Sequence, residues 1–231
     1  MKKSIVLFSG GIDSTTALYW ALHRTEKVYA LTFDYGQRHK IEISMARKLA
    51  QTLDIHHKII QVDLKQIGGS SLTDTNIPIP EYKRAEEIEE GVPSTYVPFR
   101  NGIFLSLAAA LAEAEGIKEI VCGFNTLDSP NYPDTRSQFV KAMEEAINQG
   151  TTPPPTNEKI KILAPFADMK KSEIIKEGLS FGVDYSYTVS CYLGEEVPCR
   201  KCSSCLLRQK AWEEVGSKDP LLLRLEKEGK I

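Results

Sequence analysis

Short apolar runs alternate with segments of helical spacing along most of this chain. Ser4 to Phe8 forms a compact apolar run that predicts a buried strand, and a Gly-Gly turn joins it to a helix from Ser14 to His23. Lys27 to Phe33 predicts a second strand. Glu42 to Leu53 then repeats near 3.6 residues, with Ile43, Ala46, Leu49, Ala50 and Leu53 on one face. His57 to Val62 predicts a third strand, Asn101 to Glu115 a long helix and Glu119 to Gly123 a fourth strand. Thr135 to Gln149 is helical again, and Ile160 to Leu163 predicts another strand. Strands alternating with helices imply βαβ units, hence an α/β fold with a Rossmann-like parallel sheet covered on both faces.

Two stretches break the rhythm. Residues 65–98 carry Gly68-Gly69, Pro78, Pro80, Pro93 and Pro98 with an acidic segment from Glu86 to Glu90, and read as a long excursion rather than a linker between domains. Thr151-Thr152-Pro153-Pro154-Pro155 reads as a stiff connector.

The chain is 231 residues long, enough for one large domain with a small appendage. Its formal net charge is −2, whereas proteins that live on nucleic acid usually carry a basic excess, so a small-molecule substrate is expected and a nucleic-acid partner is not. No stretch approaches the roughly 20 apolar residues of a membrane span, and no signal-peptide pattern is legible at the N-terminus. A cytoplasmic protein is expected.

The first predicted strand leads into Ser9-Gly10-Gly11-Ile12-Asp13-Ser14, and a helix follows at once. Glycines allow close backbone approach, and the first N–H groups of a helix lack intrahelical partners and favour anions. Ser14 is the expected N-cap, and Ser9, Ser14 and Thr15 offer hydroxyl donors. Asp13 suits a Mg²⁺ ion that bridges to phosphates better than the phosphates themselves. Neither Gly-Lys-Ser/Thr nor Gly-x-Gly-x-x-Gly is present in this loop, so the Walker and dinucleotide fingerprints are excluded there. The string does match the Ser-Gly-Gly-x-Asp-Ser signature of the PP-loop ATP pyrophosphatases. That resemblance implies cleavage of ATP between the α- and β-phosphates, with Phe8, Ser9, Gly10, Gly11, Ile12, Asp13, Ser14, Thr15, Thr16, Ala17 and Leu18 as the ATP segment. The resemblance also implies a lysine on the leaving pyrophosphate, for which Lys171 at the start of a C-terminal helix is the expected residue, with Lys170 as an equally placed competitor.

Four of the five cysteines crowd together as Cys191-x7-Cys199-x2-Cys202-x2-Cys205. Four thiolates at such spacing suit one structural Zn²⁺ per chain, with an iron–sulfur cluster as the rival. Cys122, alone in an apolar run, reads as a small buried hydrophobe.

With loop and thiolates placed, Tyr35-Gly36-Gln37-Arg38-His39, Val97-Pro98-Phe99-Arg100-Asn101, Gly123-Phe124-Asn125, Tyr132-Pro133-Asp134 and Thr188-Val189-Ser190-Cys191-Tyr192 complete a pattern that resembles the 7-cyano-7-deazaguanine synthase family nearly end to end. The resemblance implies the adenine nucleotide alpha hydrolase-like form of the fold, with residues 1–187 as the ATP-binding domain and 188–231 as a four-cysteine zinc segment packed on it. It implies a homodimer that joins ATP, 7-carboxy-7-deazaguanine and ammonia. Asp13, Ser14, Lys171 and Arg136 are then the expected catalytic set, and Asp128, Tyr132, Asp134 and Arg136 the expected substrate set. Arg136 would pair with the substrate carboxylate, Asp134 with the aminopyrimidine edge and Tyr132 with the ring face. Asp128-Ser129-Pro130-Asn131 departs from the family's usual Ser-Gly before Tyr-Pro-Asp. Three rivals share the loop: a tRNA-modifying PP-loop enzyme of thiolase or lysidine type, a non-catalytic nucleotide-binding module with a zinc-stabilised tail, and a relative that adenylates another deazapurine or a protein acceptor.

Overall fold

The structure, a computed structural model, describes residues 2–127, 132–152 and 158–231. The first strand, β1 (Lys3–Leu7), is apolar on successive residues because both of its faces are covered. Ile5 turns to one side of the sheet and Val6 to the other, and each is fully buried. It is followed by α1 (Ile12–Leu22), β2 (Lys27–Asp34), α2 (Ile41–Thr52), β3 (His56–Gln61), α3 (Arg100–Glu115) and β4 (Glu119–Cys122). Next come α4 (Ser137–Gly150), β5 (Lys161–Leu163), α5 (Lys171–Ser180), α6 (Ser203–Val215) and α7 (Pro220–Lys227). Every strand pairing is parallel, in the order β3-β2-β1-β4-β5.

One core lies between the sheet and α3 and α4. There Ile5, Leu31, Phe33 and Ile120 meet Leu105, Ala108, Val140 and Ile147. On the opposite face Val6, Ala30 and Val121 pack on Leu18, Ala46, Leu49 and Ile174 of α1, α2 and α5. Cys122 belongs to the first core, and burial pushes its thiol well above the ordinary range, so it is an inert apolar filler there.

The predicted strands and the helices up to α5 are present. The last two helices were not among the predicted elements. They form with Pro220 in the first turn of α7 and Asp219 as its N-cap, accepting from the Leu221 N–H. Trp212 and Ala211 of α6 join Ile12, Ile175 and Tyr185 in a third apolar cluster, so residues 188–231 share a core with α1 and α5.

The excursion over residues 65–98 is not an outlying loop. Ser70, Ser71 and Leu72 are buried, the Arg38 N–H donates to the Leu72 carbonyl, and the Arg38 guanidinium donates to the carbonyls of Asp74 and Ile77. Farther on, the Tyr82 N–H donates to the Lys201 carbonyl, which fastens the excursion to the cysteine segment. The Pro153-Pro154-Pro155 connector lies outside the described residues.

The chain runs from β1 outward to β3 and then crosses back to β4 beside β1. The carboxyl ends of β1 and β4 therefore meet at a switch point, with Leu7 opposite Cys122.

Candidate active site

The Ser9–Ser14 loop sits at that switch point. Gly11 is extended (φ −81°, ψ 171°) and occupies the N-cap of α1, with no side chain to satisfy the first turn. Ser14, expected as the cap, instead lies inside the first turn: its Oγ donates to the Gly11 carbonyl at 3.2 Å and accepts from the Ser9 N–H at 3.2 Å. A glycine cap leaves the leading N–H groups of α1 available to a ligand, as an anion site requires. Gly10 has φ +83°, and a Cβ there would lie 3.0 Å from the Glu42 carbonyl oxygen, so the loop is pressed against α2. The Val189 N–H donates to the Gly10 carbonyl at 3.1 Å and holds the loop from the other side.

Gly123, just past β4, supports the same turn. A Cβ on it would lie 2.7 Å from the Asp13 carbonyl and the Ser14 nitrogen, and these are backbone atoms that cannot swing aside. Gly123→Ala is expected to displace the loop, lowering stability by about 1–3 kcal/mol and ATP turnover by roughly tenfold. A melting curve and a pyrophosphate-release assay measure the two effects.

A cavity of about 260 Å³ opens over this loop. Lys171, the first residue of α5, reaches into it and donates to both Asp13 oxygens at 2.7 and 3.0 Å. Lys170 is exposed and serves as the N-cap of α5, its N–H donating to Glu173 at 2.8 Å. Of the two candidate lysines, the geometry brings Lys171 to the loop. His39 and Glu42 line the same cavity, with Nε2 and Oε2 3.4 Å apart, and Gln37 donates to the other Glu42 oxygen.

The predicted substrate residues part company. Tyr132 lines the cavity, its hydroxyl 3.2 Å from Thr95 Oγ1. Asp134 does not line it: the carboxylate is buried behind the wall, accepting the Asn101 N–H at 2.9 Å and the Asn101 amide at 3.1 Å. It thus caps the first turn of α3, where the helix dipole favours a negative charge. Arg136 is exposed at the N-cap of α4 and also lies off the cavity. Asp128 lies outside the described residues. In the ATP segment, Phe8, Ser9, Gly11, Ile12, Asp13 and Ser14 reach the cavity. Thr15, Thr16, Ala17 and Leu18 are buried in α1, where Thr16 Oγ1 meets the Tyr185 hydroxyl at 2.7 Å.

Two arginines in the wall were absent from the predicted site. Arg208 on α6 is buried; its guanidinium engages both Asp219 oxygens, the Thr188 carbonyl at 3.0 Å and Ser190 Oγ at 3.2 Å. Arg100 opens α3 and donates to the Tyr35 hydroxyl at 3.2 Å. Tyr35 is buried in the first core, and that burial pushes its phenol up, so it stays neutral.

The sulfurs of Cys191, Cys199, Cys202 and Cys205 all lie within 4.8 Å of one another. Ligation by ~2.3 Å bonds in a tetrahedron requires sulfurs about 3.8 Å apart, and Cys199 and Cys205 are 3.9 Å apart. The N–H groups of Cys199, Lys201 and Cys202 point at cluster sulfurs, which favours thiolates. The donor set fits a metal ion.

A parallel sheet with this glycine-capped serine loop, an acid and a lysine at its switch point defines a nucleotide-binding α/β protein of the PP-loop class. The chain belongs to the family described as Queuosine biosynthesis protein QueC, whose model matches residues 3–216. It is 47% identical over 229 residues to the 7-cyano-7-deazaguanine synthase of Clostridium kluyveri, covering 98% of this chain and 100% of the relative. It is 46% identical over 221 residues to the enzyme of the same name from Trichodesmium erythraeum, covering 95% and 100%. Among solved structures, NMN synthetase from Francisella tularensis matches with a TM-score of 0.50 at 15% identity, over 94% of this chain and 78% of that one; this likeness concerns the fold alone. Among the described residues, no helix is long and apolar enough to cross a membrane.

Proposed function

We propose that this chain is an ATP-dependent carbon–nitrogen ligase that converts 7-carboxy-7-deazaguanine and ammonia into 7-cyano-7-deazaguanine in queuosine biosynthesis. The observation that carries the reading is the glycine-capped loop with Lys171 on Asp13 at the switch point, in a chain 46–47% identical to synthases of that name.

The chemistry divides into two activations. A carboxylate oxygen attacks the α-phosphorus of ATP, the bond to the β-bridging oxygen breaks and pyrophosphate leaves. Ammonia then adds to the activated carbonyl carbon, AMP departs with its oxygen and a proton is lost, giving the amide. In the second round the amide oxygen attacks a second ATP, pyrophosphate leaves, and loss of AMP with the remaining N–H protons leaves the nitrile. Both rounds build negative charge on pyrophosphate, and the first turn of α1 together with Lys171 is placed to receive it. Asp13 would hold the Mg²⁺ that accompanies ATP, an ion that neutralises phosphate charge when bound. Ser14 and Ser9 keep the loop in shape through their mutual hydrogen bonds. The aromatic wall of Phe33, Phe104 and Tyr132 suits a flat heterocycle, and Asp134 acts by positioning α3 rather than by touching the base.

For the cysteine cluster we propose one structural Zn²⁺. Four sulfurs drawn to within 4.8 Å suit a single ion better than a cubane, whose thiolates sit at the corners of a larger body. Residues 188–231 then brace the ATP domain. A cytoplasmic homodimer acting on small molecules rather than nucleic acid completes the reading, with the net charge of −2 in its support.

The test incubates the protein with Mg-ATP, ammonium and 7-carboxy-7-deazaguanine, following nucleotide products by chromatography and the deazapurine by mass. AMP and pyrophosphate, with the mass of the nitrile, are expected. ADP and phosphate would overturn the adenylation step.

A further inference from the structure

Among the described residues the cavity is lined by four cationic or potentially cationic side chains besides the phosphate loop, and three of them have a carboxylate partner that accounts for their place. Lys171 lies on Asp13, His39 on Glu42, and Arg208 on Asp219 with two further acceptors. Arg100 differs. Among the described residues its one hydrogen-bond partner is the neutral Tyr35 phenol, and none of their carboxylates lies within 4.0 Å of it.

The surroundings partly desolvate this cation and fix its position. Its guanidinium sits over the Tyr35 ring at 5.6 Å and the Phe104 ring at 6.0 Å, which fixes its plane while removing water from its faces. It stands at the first residue of α3, where the helix dipole also repels a positive charge. Asp134, an acid at that helix end, has both oxygens hydrogen-bonded to Asn101 and supports Arg100 only through its charge, without a hydrogen bond. The preceding Phe99 adopts φ +53°, a left-handed conformation strained for a phenylalanine, and its N–H is held by the Tyr96 hydroxyl at 3.0 Å. Burial disfavours a charge here, but the neighbouring Tyr35, Tyr132 and Asp134 outweigh it and hold the guanidinium above its ordinary range, so Arg100 stays a cation at the cavity wall.

We propose that Arg100, together with the Tyr35 hydroxyl, is the subsite for the carboxylate of the planar acid substrate, the task expected from the sequence of Arg136. This deepens the function proposed above and rests on it. Arg100 touches the acid, orients one oxygen and leaves the other to attack the α-phosphorus. The subsite therefore acts on the first activation, where the substrate is an anion, and has no charge to recognise in the amide that enters the second.

Wild-type protein and Arg100→Met are compared with 7-carboxy-7-deazaguanine and with the matching 7-carboxamide as separate starting substrates. Arg100→Met is expected to raise KM for the acid by roughly ten- to a hundredfold, the loss of a charge-assisted hydrogen bond, while KM for the amide changes less than twofold. Arg100→Lys is expected to recover part of the acid's affinity and none of its orientation, giving a lower kcat. Equal losses on acid and amide would show a structural residue and overturn the subsite. Should Arg100→Met not fold, calorimetry on the wild type decides: the acid must bind at least tenfold more tightly than the amide, and equal affinities overturn the proposal. A wild type that turns over neither compound defeats the function itself, so the two failures are distinct.

Discussion

Lys171→Met is expected to lower kcat by roughly 10²–10³-fold while leaving the melting temperature within a few degrees of wild type. The Lys171 ammonium, with its side chain 15% exposed, is the cation brought directly to the phosphate loop. In the ligand-free cavity it neutralises Asp13 at 2.7 Å. In the proposed reaction Asp13 would hold the Mg²⁺ that accompanies ATP and Lys171 would face the phosphates. The charge that grows on pyrophosphate as the α–β bond breaks then meets a cation fixed at a helix start, and this interaction strengthens only on the way to the transition state. Removing it should touch kcat more than KM for ATP, because the first-turn N–H groups of α1 would still hold the ground-state phosphates in the proposed site. The pair is partly open to solvent, so its loss costs folding about 1 kcal/mol or less. Steady-state rates of pyrophosphate release beside a melting curve separate the two readings. A variant whose kcat stays within threefold of wild type would reduce Lys171 to a counter-ion for Asp13.

That residue shows why part of the site could be read before the structure. Its place follows from local pattern: a strand ending near Leu163, a connection, and a helix whose first residues face the carboxyl ends of the sheet. The phosphate loop is legible for the same reason, since strand, Gly-Gly turn and helix are contiguous in the chain. Ser14 was misplaced by one step of this logic. A hydroxyl residue near a helix start is usually the cap, yet here Gly11 takes that place and the serine turns back onto the loop.

Contacts between distant segments carry little signal in one sequence. Asp134 and Asn101 are 33 positions apart, and their hydrogen bonds turn an apparent base-recognising acid into a helix cap. Arg100 read as an ordinary helix start because the rings of Tyr35 and Phe104 beside it come from the segment just after β2 and from another turn of the helix. The Gly- and Pro-rich composition of residues 65–98 spoke for a loop, and nothing in it revealed that Leu72 packs in the main core. Helix α7 had a local signature in Asp219-Pro220. What no local pattern shows is that the Asp219 side chain both caps α7 and holds Arg208.

Cys202→Ser is expected to empty the cysteine site and to lower the melting temperature by roughly 10–20 °C. Such a loss corresponds to about 5 kcal/mol in a chain of this size, well inside the range of structural Zn²⁺ binding. Cys202 is the N-cap of α6 and Cys205 lies in its first turn, so the metal would fasten the start of the helix that carries Arg208. From Arg208 the chain of contacts is short. Its guanidinium holds the Thr188 carbonyl and Ser190, and the intervening Val189 N–H holds Gly10 of the phosphate loop. Loosening α6 frees a buried arginine from Asp219, and breaking such a pair is worth several kcal/mol. Metal loss should therefore raise KM for ATP as well as lower stability, although no cysteine lines the cavity. Elemental analysis gives the metal content, and ATP titrations at a temperature where the variant remains folded give the coupling. Unchanged metal content would defeat the four-thiolate site. A destabilised variant with wild-type KM for ATP would confine the metal to holding the tail, and cut the proposed link from the cysteines through Arg208 to the loop.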